Sequence, residues 1–324
     1  MNILFTSVGR RVSLIRHFKK SLLDIGNSGF IVTTDFQKHA PASFIGDFHE
    51  QVPLVKDPSY IDTLIVICNK YEIKLLIPLI DSELMILATH IQTFKDIGVT
   101  LLVSSTETNE ICFDKKNTYH FFKQIGVETP EIIDPEKILA DEKAKYPFLL
   151  KPSNGSSSVG VTIINNRKEL DFFKDYVNNA IVQELIVGKE YTLDVLVDFQ
   201  GKVRCVVPRH RIETRAGEIS KGVTVKNPQL IAAGKAVVEA LPDAVGCITV
   251  QCFLTSDDRI KFIEINPRFG GGFPLSYEAG ADFPRWIVEM LLEKDPHIAI
   301  DGWKEDVVML RYDDAIFVNN EMIL

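Results

Sequence analysis

Two polar side chains interrupt an apolar run late in the sequence. In "FIEINPRFGGG", residues 262–272, Glu264 and Asn266 lie two positions apart. A strand therefore puts both on one face, with Ile263 and Ile265 on the other. Residues 247–254 and 260–266 flank the polar turn "TSDDR" and read as a hairpin, in which Gln251 can stand beside Glu264 and Asn266. Three oxygen donors with one formal charge suit Mg²⁺ shared with substrate oxygens; a zinc site would want His or Cys. The simpler alternative is a solvated strand face on which Arg268 pairs with Glu264, since polar-out alternation is common in antiparallel sheets. Pro267, which ends the ladder, and the three glycines that follow Phe269, which let a backbone approach something closely, weigh against it.

Three other stretches carry donors and charge. "LLKPSNGSSSVGV" joins Lys151 at a strand end to a loop containing Gly155, Ser156, Ser157, Ser158 and Gly160. Small residues let backbone N–H groups reach a phosphate, while hydroxyls and the ammonium add donors. No GK[ST] follows and the next element is a strand, so this is not a Walker loop; a plain surface loop is the alternative. "IVQELIVGKEYTLDV" places Glu184 before a turn at Gly188 and Glu190 after it. A chain crossing between two lobes there could offer backbone groups to an adenine ring and Glu190 to ribose hydroxyls, although a strand–turn–strand with solvated acids is the simpler reading. "TSVGRR" puts Gly9, Arg10 and Arg11 at a helix start. Arginine there opposes the helix dipole unless something negative binds, which points to an acidic substrate group near Arg10 or Arg11. Asp35 and Asp81 follow predicted strands, where open α/β sheets place ligands; for Asp81, which precedes "SELMIL", helix capping is the simpler role.

The elements that must position these residues fall into two patterns. Strand-like runs at 3–6, 30–34, 75–79 and 100–103 alternate with helical stretches at 12–23, 60–71 and 82–97. That alternation predicts a parallel, Rossmann-type sheet up to about residue 110. After a helix near 115–125, "GVETP" breaks the chain, and a strand, loop, strand, helix, strand pattern follows. Long strands at 190–199 and 202–209 then read as antiparallel, 211–222 as a polar loop and 228–241 as a helix. The second half is α+β in character.

A length of 324 residues suggests two or three folding units. Net charge −8 argues against general binding to a nucleic-acid backbone. Five cysteines, odd in number and without a CxxC pair, favour buried free thiols and a reducing compartment. The N-terminal arginines follow the first apolar run rather than precede it, unlike a signal peptide, and no run of about 18 apolar residues occurs. A cytoplasmic protein without membrane or nucleic-acid partners is expected.

In sequence order, Lys115, "LLKPSNGSSSVG", "QELIVGKEY", "VQCF" and "IEINPRFGG" resemble the ATP-grasp superfamily, most closely a single synthetase half of the carbamoyl-phosphate synthase large subunit, over roughly residues 112–290. The ordered set is specific, whereas no one motif is. The resemblance implies a Rossmann-like pre-ATP-grasp domain (1–111), an ATP-grasp domain (112–298, with a lid at about 115–183) and a C-terminal segment (299–324) packing on the body. It further implies that Lys115 and Lys151 bind ATP phosphates and that residues 155–160 form the loop over them. Glu184 and Ile186 would meet adenine, and Glu190 ribose. Gln251, Glu264 and Asn266 would hold Mg²⁺ (or Mn²⁺), and Arg268 would face the transferred phosphoryl group. Arg215 and Lys221, in a basic segment unexpected for an acidic chain, would contact phosphate or a substrate carboxylate; a charged surface loop is the alternative. The implied activity is ATP-dependent activation of a carboxylate, or bicarbonate, as an acyl phosphate for attack by an amine or other small-molecule nucleophile. The first step needs no strong base because the carboxylate is already ionised. With one synthetase half present, a stand-alone carboxylate ligase is expected. A short carbamoyl-phosphate-synthase-like protein and a non-catalytic ATP-binding regulatory module are the alternatives, and the resemblance admits a homodimer.

Overall fold

In the computed structural model, residues 1–155, 159–215 and 217–319 are described. The first strands are short apolar runs without polar alternation, as expected for strands covered on both faces. β1 (Asn2–Thr6), β2 (Ile31–Asp35), β3 (Phe48–Gln51), β4 (Ile73–Pro78) and β5 (Thr100–Leu101) form a parallel sheet in the order β3-β2-β1-β4-β5. Helices α1 (Val12–Asp24), α2 (Tyr60–Lys70), α3 (Asp81–Thr89) and α4 (Ile91–Asp96) connect them. The helix expected over 82–97 is broken at His90, whose ring Nδ1 lies 2.8 Å from the Ile86 carbonyl. Polar β3 falls outside the hydrophobic pattern and was not anticipated.

Helices α5 (Thr106–Phe113) and α6 (Lys115–Gln124) lead to a small antiparallel sheet in the order β6-β9-β7-β8: β6 (Ile132–Ile133), β7 (Phe148–Pro152), β8 (Thr162–Ile164) and β9 (Ala180–Glu184). This sheet packs its apolar face under α7 (Pro135–Ala140) and α8 (Arg167–Tyr176) around Leu150, Ile164, Leu170 and Val182. A larger antiparallel sheet follows in the order β14-β13-β10-β11-β12-β15: β10 (Gly188–Val197), β11 (Val203–Arg215), β12 (Glu218–Thr224), β13 (Gly246–Thr255), β14 (Ile260–Asn266) and β15 (Val308–Leu310). Helix α9 (Pro228–Glu239) covers one face, while α10 (Phe273–Glu278) and α11 (Phe283–Leu291) pack against α1.

Residues 211–222, expected as a loop, are instead the outer part of a hairpin: β11 and β12 pair from Arg209↔Thr224 to Arg215↔Glu218, with irregular register near residues 211–214. Few apolar residues mark it because it extends past the core; Ile212 is exposed and only Ile219 is buried. The C-terminal segment pairs through Val308–Leu310 with β12. Beyond it Phe317 is 94% exposed, so packing on the body does not extend that far.

One core joins the two halves. Ile3, Phe5 and Ile77 of the parallel sheet share a buried cluster with Cys205 and Val207 of β11 and with Phe269 and Phe273. The first sheet and the large sheet are thereby held as facing walls of a cleft. All five cysteines are free thiols; Cys68, Cys205, Cys247 and Cys252 are buried, and burial pushes Cys68 up to about 12.

Candidate active site

The β13–β14 hairpin supplies the oxygen donors. Gln251 pairs with Glu264 and Thr249 with Asn266, but Cys252 pairs with Phe262. Ile263 is thus the extra residue of a bulge. It lines the cleft beside Glu264, while Phe262 and Ile265 enter the core; strict alternation had put Ile263 with Ile265, and an inserted residue reverses one side chain. Asn266 Nδ2 donates to Glu264 Oε1 at 3.0 Å, and the Arg268 amide donates to the Asn266 carbonyl at 2.8 Å. Arg268 reaches across to the first sheet, its Nη2 donating to Asp81 Oδ2 at 2.5 Å, with Asn266 Oδ1 at 3.4 Å. It does not pair with Glu264. Asp81 is therefore not the side-chain cap of α3: that position is Ile80, and Glu83 accepts from the Leu79 and Ile80 amides at 2.9 and 3.3 Å.

Two lysines face this hairpin. Lys115 begins α6, where Asp114 caps the Lys116 amide; the Lys115 amide donates to the Ser153 carbonyl at 2.8 Å and its Nζ to the Gly155 carbonyl at 2.9 Å. Lys151, on β7, is 7% exposed, and its ammonium makes no hydrogen bond or ion pair among the described residues. Burial holds its ammonium down at about 8, with Lys115 pushing the same way and Glu264 opposing. Gly155 turns with φ +104 and Gly160 with φ +75, conformations that favour glycine. Ser156, Ser157 and Ser158 lie outside the described residues.

The third wall comes from β10 and β11. Glu190 meets Arg211 Nη1 at 3.3 Å, and burial pushes its carboxyl up while Arg211 opposes. Arg209 is buried beside Asp194, with Nε and Nη2 donating to the two carboxylate oxygens at 2.7 and 2.9 Å, and Ser276 Oγ donates to the same carboxylate at 2.6 Å. Arg209 and Arg211 are two apart on one strand, the same spacing that singled out Glu264 and Asn266; that spacing was the overlooked signal in the basic segment. Asp194, within an apolar strand, announced nothing.

These residues enclose a cavity of about 900 Å³ whose walls include Arg11, Asp81, Lys115, Gly155, Glu190, Gln251, Glu264, Asn266 and Arg268 together with Lys151, Arg209, Arg211 and Glu218. Several expected residues are elsewhere. Arg215 pairs with Asp313 at 3.2 Å and Lys221 with Glu213 at 2.7 Å, both exposed and outside the cavity lining; as part of a paired hairpin their side chains are spent on neighbours rather than on the cleft. Asp35 accepts from the Gly9 and Gln37 amides at 2.9 and 2.8 Å, so it shapes the turn after β1 instead of meeting a ligand. Arg10 is exposed and only Arg11 of the pair lines the cavity. Glu184 pairs with Lys261 at 2.7 Å, and neither it nor Ile186 lines the cavity.

Among the described residues no group of three or more His, Cys, Asp or Glu is placed to hold a metal. A cation bound here would take one carboxylate, Glu264, and the amide oxygens of Gln251 and Asn266. That donor set fits magnesium completing its shell with phosphate oxygens and water.

Residues 112–272 match the ATP-grasp domain family and residues 3–102 the PylC-like N-terminal domain. The chain belongs to the ATP-grasp superfamily. It is 30% identical over 220 residues to a D-alanine–D-alanine ligase of Thermotoga petrophila, covering 61% of this chain and 71% of the relative. In fold it resembles the biotin carboxylase domain of Hydrogenobacter thermophilus 2-oxoglutarate carboxylase, solved with MgADP, ADP and bicarbonate (TM-score 0.73, 17% identity, 92% of this chain and 71% of that one). It also resembles N5-carboxyaminoimidazole synthetase of Staphylococcus aureus complexed with ADP (TM-score 0.71, 18% identity, 92% and 79%). Among the described residues no helix is long and apolar enough to cross a membrane.

Proposed function

We propose that the chain is an ATP- and Mg²⁺-dependent ligase that joins a carboxylate to an amine or similar nucleophile through an acyl phosphate. One observation carries this reading: Lys115 and Lys151 face Gln251, Glu264 and Asn266 across a single cavity that Arg268 closes toward the first sheet. Lys151 is a desolvated ammonium without a partner among the described residues, so a phosphate oxygen there would gain a charge-assisted hydrogen bond at little competing cost. Magnesium, when bound at Glu264, would neutralise phosphate charge. An ionised carboxylate oxygen forms a bond to the γ-phosphorus as the bond to the ADP oxygen breaks; the amine then adds to the acyl carbon, phosphate leaves, and the amine proton passes to solvent or phosphate. Arg268, immobilised by Asp81 and the Phe269 carbonyl, is positioned to stabilise charge on the phosphoryl oxygens without reorganising.

The test is ADP release from Mg-ATP in the presence of amino acids, dipeptides and bicarbonate, with hydroxylamine to trap the acyl phosphate as a hydroxamate. Acid-dependent ADP release with hydroxamate formation is the expected result. Tight ADP binding with no stimulated turnover by any acid would instead make the chain a nucleotide-binding module.

A further inference from the structure

The lysines are not the only cations in the cavity that lack a carboxylate partner. Arg11 also lines it, half-buried, and its guanidinium makes no hydrogen bond or ion pair among the described residues. The charges acting on Arg11 are those of Arg268, Glu218, Asp81 and Arg311, whereas those acting on Lys151 are Glu264 and Lys115. Different carboxylates therefore face the two cations, Glu218 and Asp81 near Arg11 and Glu264 near Lys151, with Arg268 between Asp81 and Asn266. We propose that Arg11 anchors an anionic group, a carboxylate or phosphate, that the substrate carries in addition to the carboxylate undergoing activation. This rests on the ligase reading above and specifies its substrate class: an acid or nucleophile with an extra oxyanion.

Topology supports the assignment. Arg11 follows β1, and the facing wall at Ile80, Asp81 and Ser82 follows β4. β1 and β4 are neighbours where the strand order reverses, the crevice in which open α/β sheets take ligands. Charge supports it too. The guanidinium groups of Arg10, Arg11, Arg268 and Arg311 cluster about only two carboxylates, Asp81 and Glu218. Asp81 is bound to Arg268 at 2.5 Å and Glu218 to Arg311 at 3.1 Å; Glu218 also attracts Arg11, but not within ion-pair distance among the described residues, so the cations outnumber the carboxylates and Arg11 has room for an outside anion. The glycine loop leaves room for the guanidinium: a Cβ on Gly271 would come within 2.6 Å of Arg11 Nη1 and 3.0 Å of Glu218 Oε1. Buried Arg209, on the adjoining wall, also holds its Nη1 without a partner.

The experiment uses the full chain with a non-hydrolysable ATP analogue and Mg²⁺ filling the nucleotide site, so that an added anion cannot occupy the phosphate subsites. Malonate and inorganic phosphate are titrated calorimetrically into wild type, Arg11→Ala, Arg11→Lys and Gly271→Ala. Saturable binding by wild type is expected, weakened about tenfold or more in Arg11→Ala and Gly271→Ala, partly retained in Arg11→Lys, with nucleotide affinity unchanged throughout. Equal anion binding in Arg11→Ala, or no saturable binding by wild type, overturns the proposal. If the nucleotide analogue itself fails to bind, the ligase reading falls, and the same titration without nucleotide still decides whether Arg11 holds an anion. In turnover, the acid that stimulates ADP release should show a raised KM in Arg11→Ala with a smaller change in kcat. Equal turnover of acid–nucleophile pairs with and without an additional anionic group on either partner would also sink the proposal.

Discussion

Replacing Lys151 by Met should make the unliganded protein more stable and a worse nucleotide binder. The lysine is 7% exposed, and burial lowers its ammonium from the ordinary 10.5 to about 8. That difference corresponds to about 3 kcal/mol by which the folded state disfavours the charged form. Methionine keeps most of the apolar stem and removes the charge, with little repacking. At pH 7 the charged lysine is present in both folded and unfolded chains and its burial cost is fully expressed. Between about pH 8 and 10.5 the unfolded chain holds the proton more tightly, so wild-type stability rises with pH through that window. The advantage of Lys151→Met should therefore be largest near pH 7 and fade toward pH 10.5. Chemical denaturation followed across this range measures it. In parallel, loss of one charge-assisted hydrogen bond to phosphate, about 1.5–3 kcal/mol, predicts roughly ten- to hundredfold weaker ADP binding by calorimetry. A variant less stable than wild type at pH 7, or one that binds ADP equally well, would refute the view of Lys151 as a desolvated phosphate ligand.

Glu264→Gln removes the only carboxylate of the proposed metal set and should lower acid-dependent ADP release about a hundredfold or more, with thermal unfolding unchanged; near-normal turnover would return Glu264 to an ordinary strand face. Asp194→Ala leaves the buried Arg209 guanidinium unpaired and should cost about 3–5 kcal/mol in chemical denaturation. Arg215→Ala and Lys221→Ala break exposed pairs only and should leave both turnover and stability close to wild type, and a marked loss of turnover in either would restore the phosphate role that the sequence suggested for them.

The parts of the site readable from sequence are those in which period and chemistry coincide. Gln251, Glu264 and Asn266 break an apolar hairpin at strand spacing, and their Cα register agrees with that pairing. Lys151 next to a glycine-serine loop carries a similarly local signal. The bulge at Ile263 does not, because one inserted residue leaves the composition of the strand unchanged while reversing a side chain. Residues 211–222, the outer part of the β11–β12 hairpin, read as a loop in sequence because they carry little apolar face, with Ile212 exposed and Ile219 buried. The Asp81–Arg268 pair spans 187 residues, and nothing within either segment specifies the other.

The same contrast bears on why ATP use was easier to infer than the acceptor. On the nucleotide side, cationic residues occur in an order that constrains one another along a single stretch, from Lys115 to Arg268. For the acceptor the question is which guanidinium lacks a partner, and that depends on pairings made across the fold. Arg268, Arg209 and Arg211 each look as available in sequence as Arg11. In the structure Asp81, Asp194 and Glu190 form ion pairs with those three, whereas Arg11 has none among the described residues. Which cations are left over once the fold has formed its own ion pairs is a property of the whole chain rather than of any motif, so a substrate role proposed for Arg11 depends on the fold as much as on its sequence.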